Sequence, residues 1–433
     1  MSSSLTTEEA FLWDAAVHWR VPEEILIRNL DWARVASVAV PNRMATLLRG
    51  VIEARGLRDS LPDAPLQEID ASADRLQARA QMMSRSLADF LRYAGEDGVE
   101  AVVLKGLSIS VNVYGQPAMR PGGDIDLLVL RSQVRRCIQV LERMGIGAFW
   151  PNLMDDRYYE RHHLHQQRSS KDLQIWYEIH WAFDHPYTLF TIDYEGMLGR
   201  TRPGTLLGQP VRELAPPDLL LSLAVHLVKH AIYLPHTTGR PDLGRAVLAD
   251  GMLMYFLDVA EVIRGADAGS NWDALVELAR ETGTREVIGS VLSACRSLLG
   301  TPVPERTLAS LAVKGGGAVT RRAMNAVVDR EIAQYLGEPP SRIWDALLIT
   351  NGAFILRPIR LLETAGYFFP PGEYLRRRYG DAGLVTRMGH TFRAAAQFAR
   401  FAWDSLYFAL ERYRRLKKIG YSTSLFNRLE TEE

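Results

Sequence analysis

Residues Ala101 to Leu130, AVVLKGLSISVNVYGQPAMRPGGDIDLLVL, decide how the chain is read. AVVLK is a short apolar run that stops at Gly106, LSISVNVY is long enough for about two helical turns, and GQPAMRPGGD has the glycines and prolines of a loop. DIDLLVL (Asp124 to Leu130) is apolar and aliphatic and reads as a strand. Alternate side chains of a strand share a face, so Asp124 and Asp126 point one way and Ile125 the other. Carboxylates this close repel, and each resists ionisation unless a cation neutralises it. A hard divalent ion resolves the conflict, because Mg²⁺ takes a few carboxylates together with phosphate oxygens. The bland alternative is an acid pair on a solvent-facing strand edge.

The same grammar continues outward. SQVRRCIQVLERMG (Ser132 to Gly145) reads as a helix opened by a Ser132 cap and closed by Gly145, and IGAFW (Ile146 to Trp150) as a further strand. In DLQIWYEIHWAF (Asp172 to Phe183), alternation places Gln174, Trp176, Glu178 and His180 on one face, and Ile175, Tyr177, Ile179 and Trp181 on the other. Glu178 is then an acid in a strand that otherwise reads as buried, where an unpaired carboxylate is costly. Either an arginine pairs with it, or it is the third carboxylate of a two-metal clamp. Lys105 and Gly106 lead into the short helix through Ser108, a natural cradle for phosphate oxygens if it is more than a plain turn. Arg120 puts a second cation just before Asp124, which suits neutralisation of a triphosphate.

The histidines offer less. His162, His163 and His165 in RHHLHQQ could bind a transition metal or orient a phosphate or substrate, but they match no standard zinc spacing and the segment reads as a loop. His226 and His230 stand at i and i+4 on one helical face, but no HExxH glutamate lies between them. They read as packed core histidines or as zinc ligands, with Asp258 as a partner for one of them. The P-loop, GxGxxG and GxSxG patterns are absent, and KGGGAVT (Lys314 to Thr320) lacks the lysine position of a P-loop.

Taken together, LKG, RPGGDIDLLV and YEIHW resemble the polymerase-β-like nucleotidyltransferase superfamily, and most closely an uncharacterised bacterial family within it. The resemblance runs on through PPDLLLSLAVHLVKH, FLDVAEVI and NWDALVELAR, so that it covers about 96 to 305. It implies an α+β fold with a polymerase-β-like core, a mixed sheet with flanking helices embedded between N-terminal and C-terminal helical regions. It implies Asp124, Asp126 and Glu178 as ligands of two Mg²⁺ ions, and Lys105, Gly106, Ser108 and Arg120 as nucleotide-binding residues. His180, His226 and His230 would stand beside the metal ligands. Family members commonly show Gly-Ser or Gly-Gly at the turn, where this chain reads Gly106-Leu107-Ser108.

The activity implied is transfer of a nucleoside monophosphate from a triphosphate such as ATP to a hydroxyl acceptor. A peptide, protein, sugar or small molecule could be that acceptor, in a natural-product, peptide-modification or polysaccharide pathway. Phosphoryl transfer on the same scaffold and a non-catalytic nucleotide-binding scaffold stay open as alternatives.

Around this core the chain divides into residues 1–95, helical; 96–205, catalytic; 206–335, helical and lining the cleft; and 336–433, rich in arginine and aromatic residues. With 51 Lys and Arg against 51 Asp and Glu, the net charge of zero argues against a general nucleic-acid binder. Two distant cysteines exclude a disulfide scaffold. The acidic N-terminus and the charged breaks in every greasy stretch point to the cytoplasm, without a transmembrane helix. The charge is uneven, because Phe354 to Gly420 holds 13 Lys and Arg against 5 Asp and Glu. There HTFRAAAQFARFAWDSLYFALERYRRLKK reads as a solvated or core-packed helix, with an anionic membrane surface or acidic partner as the alternative.

Overall fold

The computed structural model describes residues 6–18, 29–148, 156, 159–160, 163–184, 190–230, 252–265, 272–312, 368–370 and 372–419. His162, the His230 side chain, Phe149 and Trp150, the 314–320 stretch and the helical reading from 313 to 335 lie outside the described residues.

The chain opens with helices α1 (Thr7–His18), α2 (Trp32–Ala39), α3 (Ala45–Ala54) and α4 (Asp63–Glu96). The Asp31 side chain caps α2 by accepting from the amides of Ala33 and Arg34. Helix α4 starts inside LPDAP, with Pro65 in the first turn where no intrahelical N–H is required. Ala80, Met83, Leu87, Phe90 and Ala94 recur at helical spacing along α4 and are buried.

A mixed sheet follows: β1 (Ala101–Val103), β2 (Ile125–Val129), β3 (Gly147–Ala148), β4 (His165–Ser169), β5 (Trp176–His180), β6 (Arg202–Leu206) and β7 (Gln209–Glu213). Among the described residues it is seven-stranded, in the order β3-β4-β5-β2-β1-β7-β6. Strands β2 and β5 are parallel, as are β1 and β7, while the other neighbours are antiparallel. Helices α5 (Leu107–Asn112), α6 (Val134–Arg143) and α7 (Tyr194–Gly199) lie between strands. An α+β architecture is therefore present.

Several local expectations change. Ser132 lies in a 3-10 turn, Arg131–Gln133, and α6 begins only at Val134 with no side-chain cap bond; Gly145 does follow its end, at φ +79°. RHHLHQQ is not all loop, since His165 opens β4. The β6-β7 hairpin, turning at Leu207 (φ +52°) and Gly208 (φ +76°), crosses the 205/206 position and extends the sheet to Glu213. Its prolines Pro203 and Pro210 and its Leu-Gly turn, in place of Asn-Gly, hide it from pattern reading.

The sheet separates two apolar cores. On one face Ile125, Leu127, Val129, Tyr177 and Ile179 pack with α4 and α6, and the Tyr177 hydroxyl meets Ser86 Oγ at 2.8 Å. On the other, Val102, Leu104 and Leu128 join a core shared by α1 to α3 and by α8 (Pro216–His230), α9 (Leu253–Arg264), α10 (Trp272–Thr282) and α11 (Arg285–Leu299). Trp13 Nε1 donates to the Leu298 carbonyl at 3.1 Å, so the first helix is joined to the last of these. Each fully buried aliphatic or aromatic side chain here stabilises the fold by about 1.5–3 kcal/mol.

Beyond these stand α12 (Glu305–Leu311), α13 (Gly372–Tyr379) and the long α14 (Leu384–Ile419). On α14 the side chains of Leu384, Val385, Met388, Phe392, Trp403 and Tyr407 are exposed. Among the described residues no helix is long and apolar enough to cross a membrane. Both cysteines, Cys137 and Cys295, are buried free thiols.

Candidate active site

The register of three strands assembles the site. Asp126 on β2 stands beside Glu178 on β5; Glu178 faces Gln167 on β4, and His180 faces His165. Period-two alternation puts all five side chains on one face, opposite Ile125, Leu127, Tyr177 and Ile179. The Leu104 amide donates to the Asp126 carbonyl at 3.0 Å, which draws the end of β1 alongside β2. Lys105 Nζ thereby reaches Asp126 Oδ2 at 2.5 Å and Asp124 Oδ1 at 3.8 Å.

Gly106 adopts φ +60°, a left-handed conformation open to glycine, and its Cα comes within 3.5 Å of where a Cβ on Gly122 would lie. The Lys105-Gly106 turn and the RPGGD loop are therefore packed backbone to backbone. Ser108, half-buried, donates its amide to the Lys105 carbonyl at 3.3 Å. Ser110 is the fastener: its buried hydroxyl meets the carbonyls of Gln116 and Pro117 at 2.6 and 2.8 Å and accepts from the Arg120 amide at 3.1 Å.

The three carboxylates converge. Asp124, Asp126 and Glu178 each offer an oxygen within 4.8 Å of the others. Burial and the neighbouring Asp126 charge push Asp124 up to about 6 despite Lys105. Burial also opposes ionisation of Asp126, but Lys105 and His180 outweigh it and hold this acid below its ordinary value. For Glu178, His165 and His180 outweigh burial in the same way and lower it strongly. His180 Nε2 lies 3.0 Å from Asp126 Oδ1 and 3.2 Å from Glu178 Oε2. Gln167 Nε2 donates to Glu178 Oε1 at 2.9 Å.

The guanidinium of Arg120, the cation expected at the phosphates, is held by a carboxylate in the folded chain. It is buried and donates to Asp258 Oδ2 through Nε at 2.8 Å and Nη2 at 2.7 Å, with the Tyr114 hydroxyl 3.3 Å from Oδ1. Asp258, read from sequence as a partner of His226 or His230, pairs with this arginine; the His230 side chain lies outside the described residues. His226 stacks on Tyr255, rings 5.2 Å apart. Two other arginines approach the loop, Arg79 from α4 and Arg43 from the turn between α2 and α3: Arg79 Nη2 donates to the Gly123 carbonyl at 2.7 Å, and Arg43 Nη1 lies 3.9 Å from where a Cβ on Gly123 would sit.

A family model described as an uncharacterised nucleotidyltransferase matches residues 28–300. The chain belongs to that family. The match begins in the N-terminal helices, well before residue 96 where the motif resemblance starts, and it takes in α2 to α4 as well as the sheet and α8 to α11. No curated protein and no solved structure matches the chain. For this nucleotidyltransferase family member, sequence reading singled out His165 only as part of a loop and passed over Gln167 and Ser110. The spacing of His165 and Gln167 carries the alternation of a strand, but HQQRS is too polar to be read as one.

Proposed function

We propose that the protein carries out metal-dependent nucleotidyl transfer on a polymerase-β-like core, moving a nucleoside monophosphate from a triphosphate to a hydroxyl acceptor. The observation that supports this most is the convergence of Asp124, Asp126 and Glu178, from a loop end and two parallel strands, beside Lys105. Their donor set fits Mg²⁺, since it consists of carboxylate oxygens gathered on one face of the sheet. These three residues would hold the ions. When bound, Mg²⁺ neutralises the triphosphate and lowers the pKa of the attacking hydroxyl.

The chain's own groups do the rest. Lys105 balances the acids before substrate arrives, and its ammonium is then shared with phosphate oxygens. The Gly106 to Ser108 turn, held against Gly122, offers backbone and hydroxyl to those oxygens. Arg120 anchors the loop through Asp258, so that Arg43 joins Lys105 as the second cation at the phosphates. His180, fixed by Asp126 and Glu178, keeps both carboxylates oriented. Alignment of hydroxyl, α-phosphorus and departing pyrophosphate supplies the remaining rate enhancement.

The test is incubation with Mg²⁺, each labelled triphosphate and candidate peptides, sugars and metabolites, read by product mass. A nucleoside monophosphate adduct that disappears in Asp126→Asn supports the reading. A bare phosphate increment replaces it with phosphoryl transfer, and no binding or turnover of any triphosphate sinks it.

A further inference from the structure

Glu178 belongs to two groups of metal-ligating side chains. Besides the carboxylate trio, His165, Glu178 and His180 each offer an atom within 4.8 Å of the others. We propose that His165, His180 and Glu178 bind one borderline divalent ion of the zinc kind, with its fourth position open, separate in chemistry from the all-oxygen Asp124 face. The proposal deepens the nucleotidyl-transfer reading, because it places a nitrogen-ligated ion against carboxylates which that reading uses.

Geometry carries it. Two ligands about 2.0–2.1 Å from a tetrahedral zinc stand about 3.3–3.4 Å from each other. His180 Nε2 lies 3.2 Å from Glu178 Oε2, and His165 Nε2 lies 3.7 Å from Glu178 Oε1. Asp126 Oδ1 lies 3.0 Å from His180 Nε2 and stands beside the set without joining it. The cross-strand pairing of His165 with His180 sets the two rings 4.8 Å apart on a rigid sheet rather than on a loop. Both residues are more than nine-tenths buried. Gln167 donates to the Glu178 carboxylate, an orienting bond of the sort that supports metal ligands. Two imidazoles select zinc, cobalt or nickel over magnesium, which prefers an oxygen shell.

The test uses the full-length, metal-stripped protein titrated with Co²⁺. The expected result is one equivalent bound with the intense visible bands of four-coordinate cobalt, displaced by Zn²⁺ and untouched by millimolar Mg²⁺. His165→Gln and His180→Gln each weaken Co²⁺ binding by more than about 10-fold and bleach the bands, whereas Asp124→Asn keeps them. Only the pale spectrum of six-coordinate cobalt in the wild type, or unchanged bands in both histidine variants, overturns the proposal. The wild-type spectrum decides even if a variant fails to fold. Intense bands without any turnover of triphosphate leave this site standing and remove the transfer reading; Mg²⁺-supported transfer with a pale spectrum does the reverse.

Discussion

Two charge clusters are tied to the same loop, and they are built on opposite principles. Arg120 and Asp258 form a matched pair, buried and bonded through two nitrogens, with the Tyr114 hydroxyl on the remaining oxygen. Asp124, Asp126 and Glu178 form an acid-rich cluster in which one lysine and two histidines share the neutralisation. A matched buried pair needs nothing further and acts as a fastener. An acid-rich cluster holds one carboxyl partly protonated near neutrality and has capacity for a cation. Under the proposed function, the difference separates the part of the site that would position from the part that would react, although both hold buried aspartates.

That comparison predicts different outcomes for similar substitutions. Asp126→Asn should lower transfer by about 10⁴-fold, about 5 kcal/mol of barrier, well beyond the destabilisation from the broken Lys105 pair; single-turnover rates beside a urea melt check this. Retained turnover would erase the distinction between the clusters. Arg120→Ala should do the opposite, destabilising by about 3–5 kcal/mol because Asp258 is left buried and unpaired. A double replacement, Arg120→Met with Asp258→Leu, should recover most of that stability in the same melt. Ser110→Ala strips the loop of its internal fastener and should cost about 1–3 kcal/mol through unpaired carbonyls at Gln116 and Pro117.

The smallest effect concerns pH. In the folded, metal-free chain Asp124 holds its proton to about 6, against 3.8 ordinarily. Between those values the folded state binds more proton than the unfolded one, so this residue's contribution to stability falls as pH rises through the window. Its side chain is 35% accessible, so solvent screening leaves an effect on the order of 1 kcal/mol. Asp124→Asn should flatten the stability profile between pH 4 and 6 by that amount, measured by denaturant titration at several pH values.

Much of the reactive cluster was legible because it is local. Asp124 and Asp126 share a face by alternation alone, as do Glu178 and His180, and the apolar partners Ile125, Tyr177 and Ile179 mark the other side. Lys105 was legible as a cation closing a strand. The rest depends on long-range pairing. Nothing near Arg120 in the chain marks Asp258 as its partner, 138 residues away. The polar strand His165–Ser169 lacks the apolar pattern from which strands are read, since its burial comes from being flanked by β3 and β5.

The hairpin at Arg202–Glu213 was hidden for a related reason, because proline and an unusual turn obscure pairing that neighbouring strands enforce. Exposure on α14 was likewise undecided by spacing, which is the same for a packed stripe as for the exposed one formed by Met388 and Phe392.

Sequence by itself determined the motif order, the family, the facing acids and the absence of a disulfide scaffold, because each follows from composition or from periodicity within a few residues. Only the tertiary structure decided which buried charges are matched and which are in excess. That outcome is set by strand register and helix docking, which bring Lys105, His165 and Asp258 to their partners across tens of residues. A carboxylate's chemistry depends on the charges within a few ångströms of it, and only folding supplies that neighbourhood.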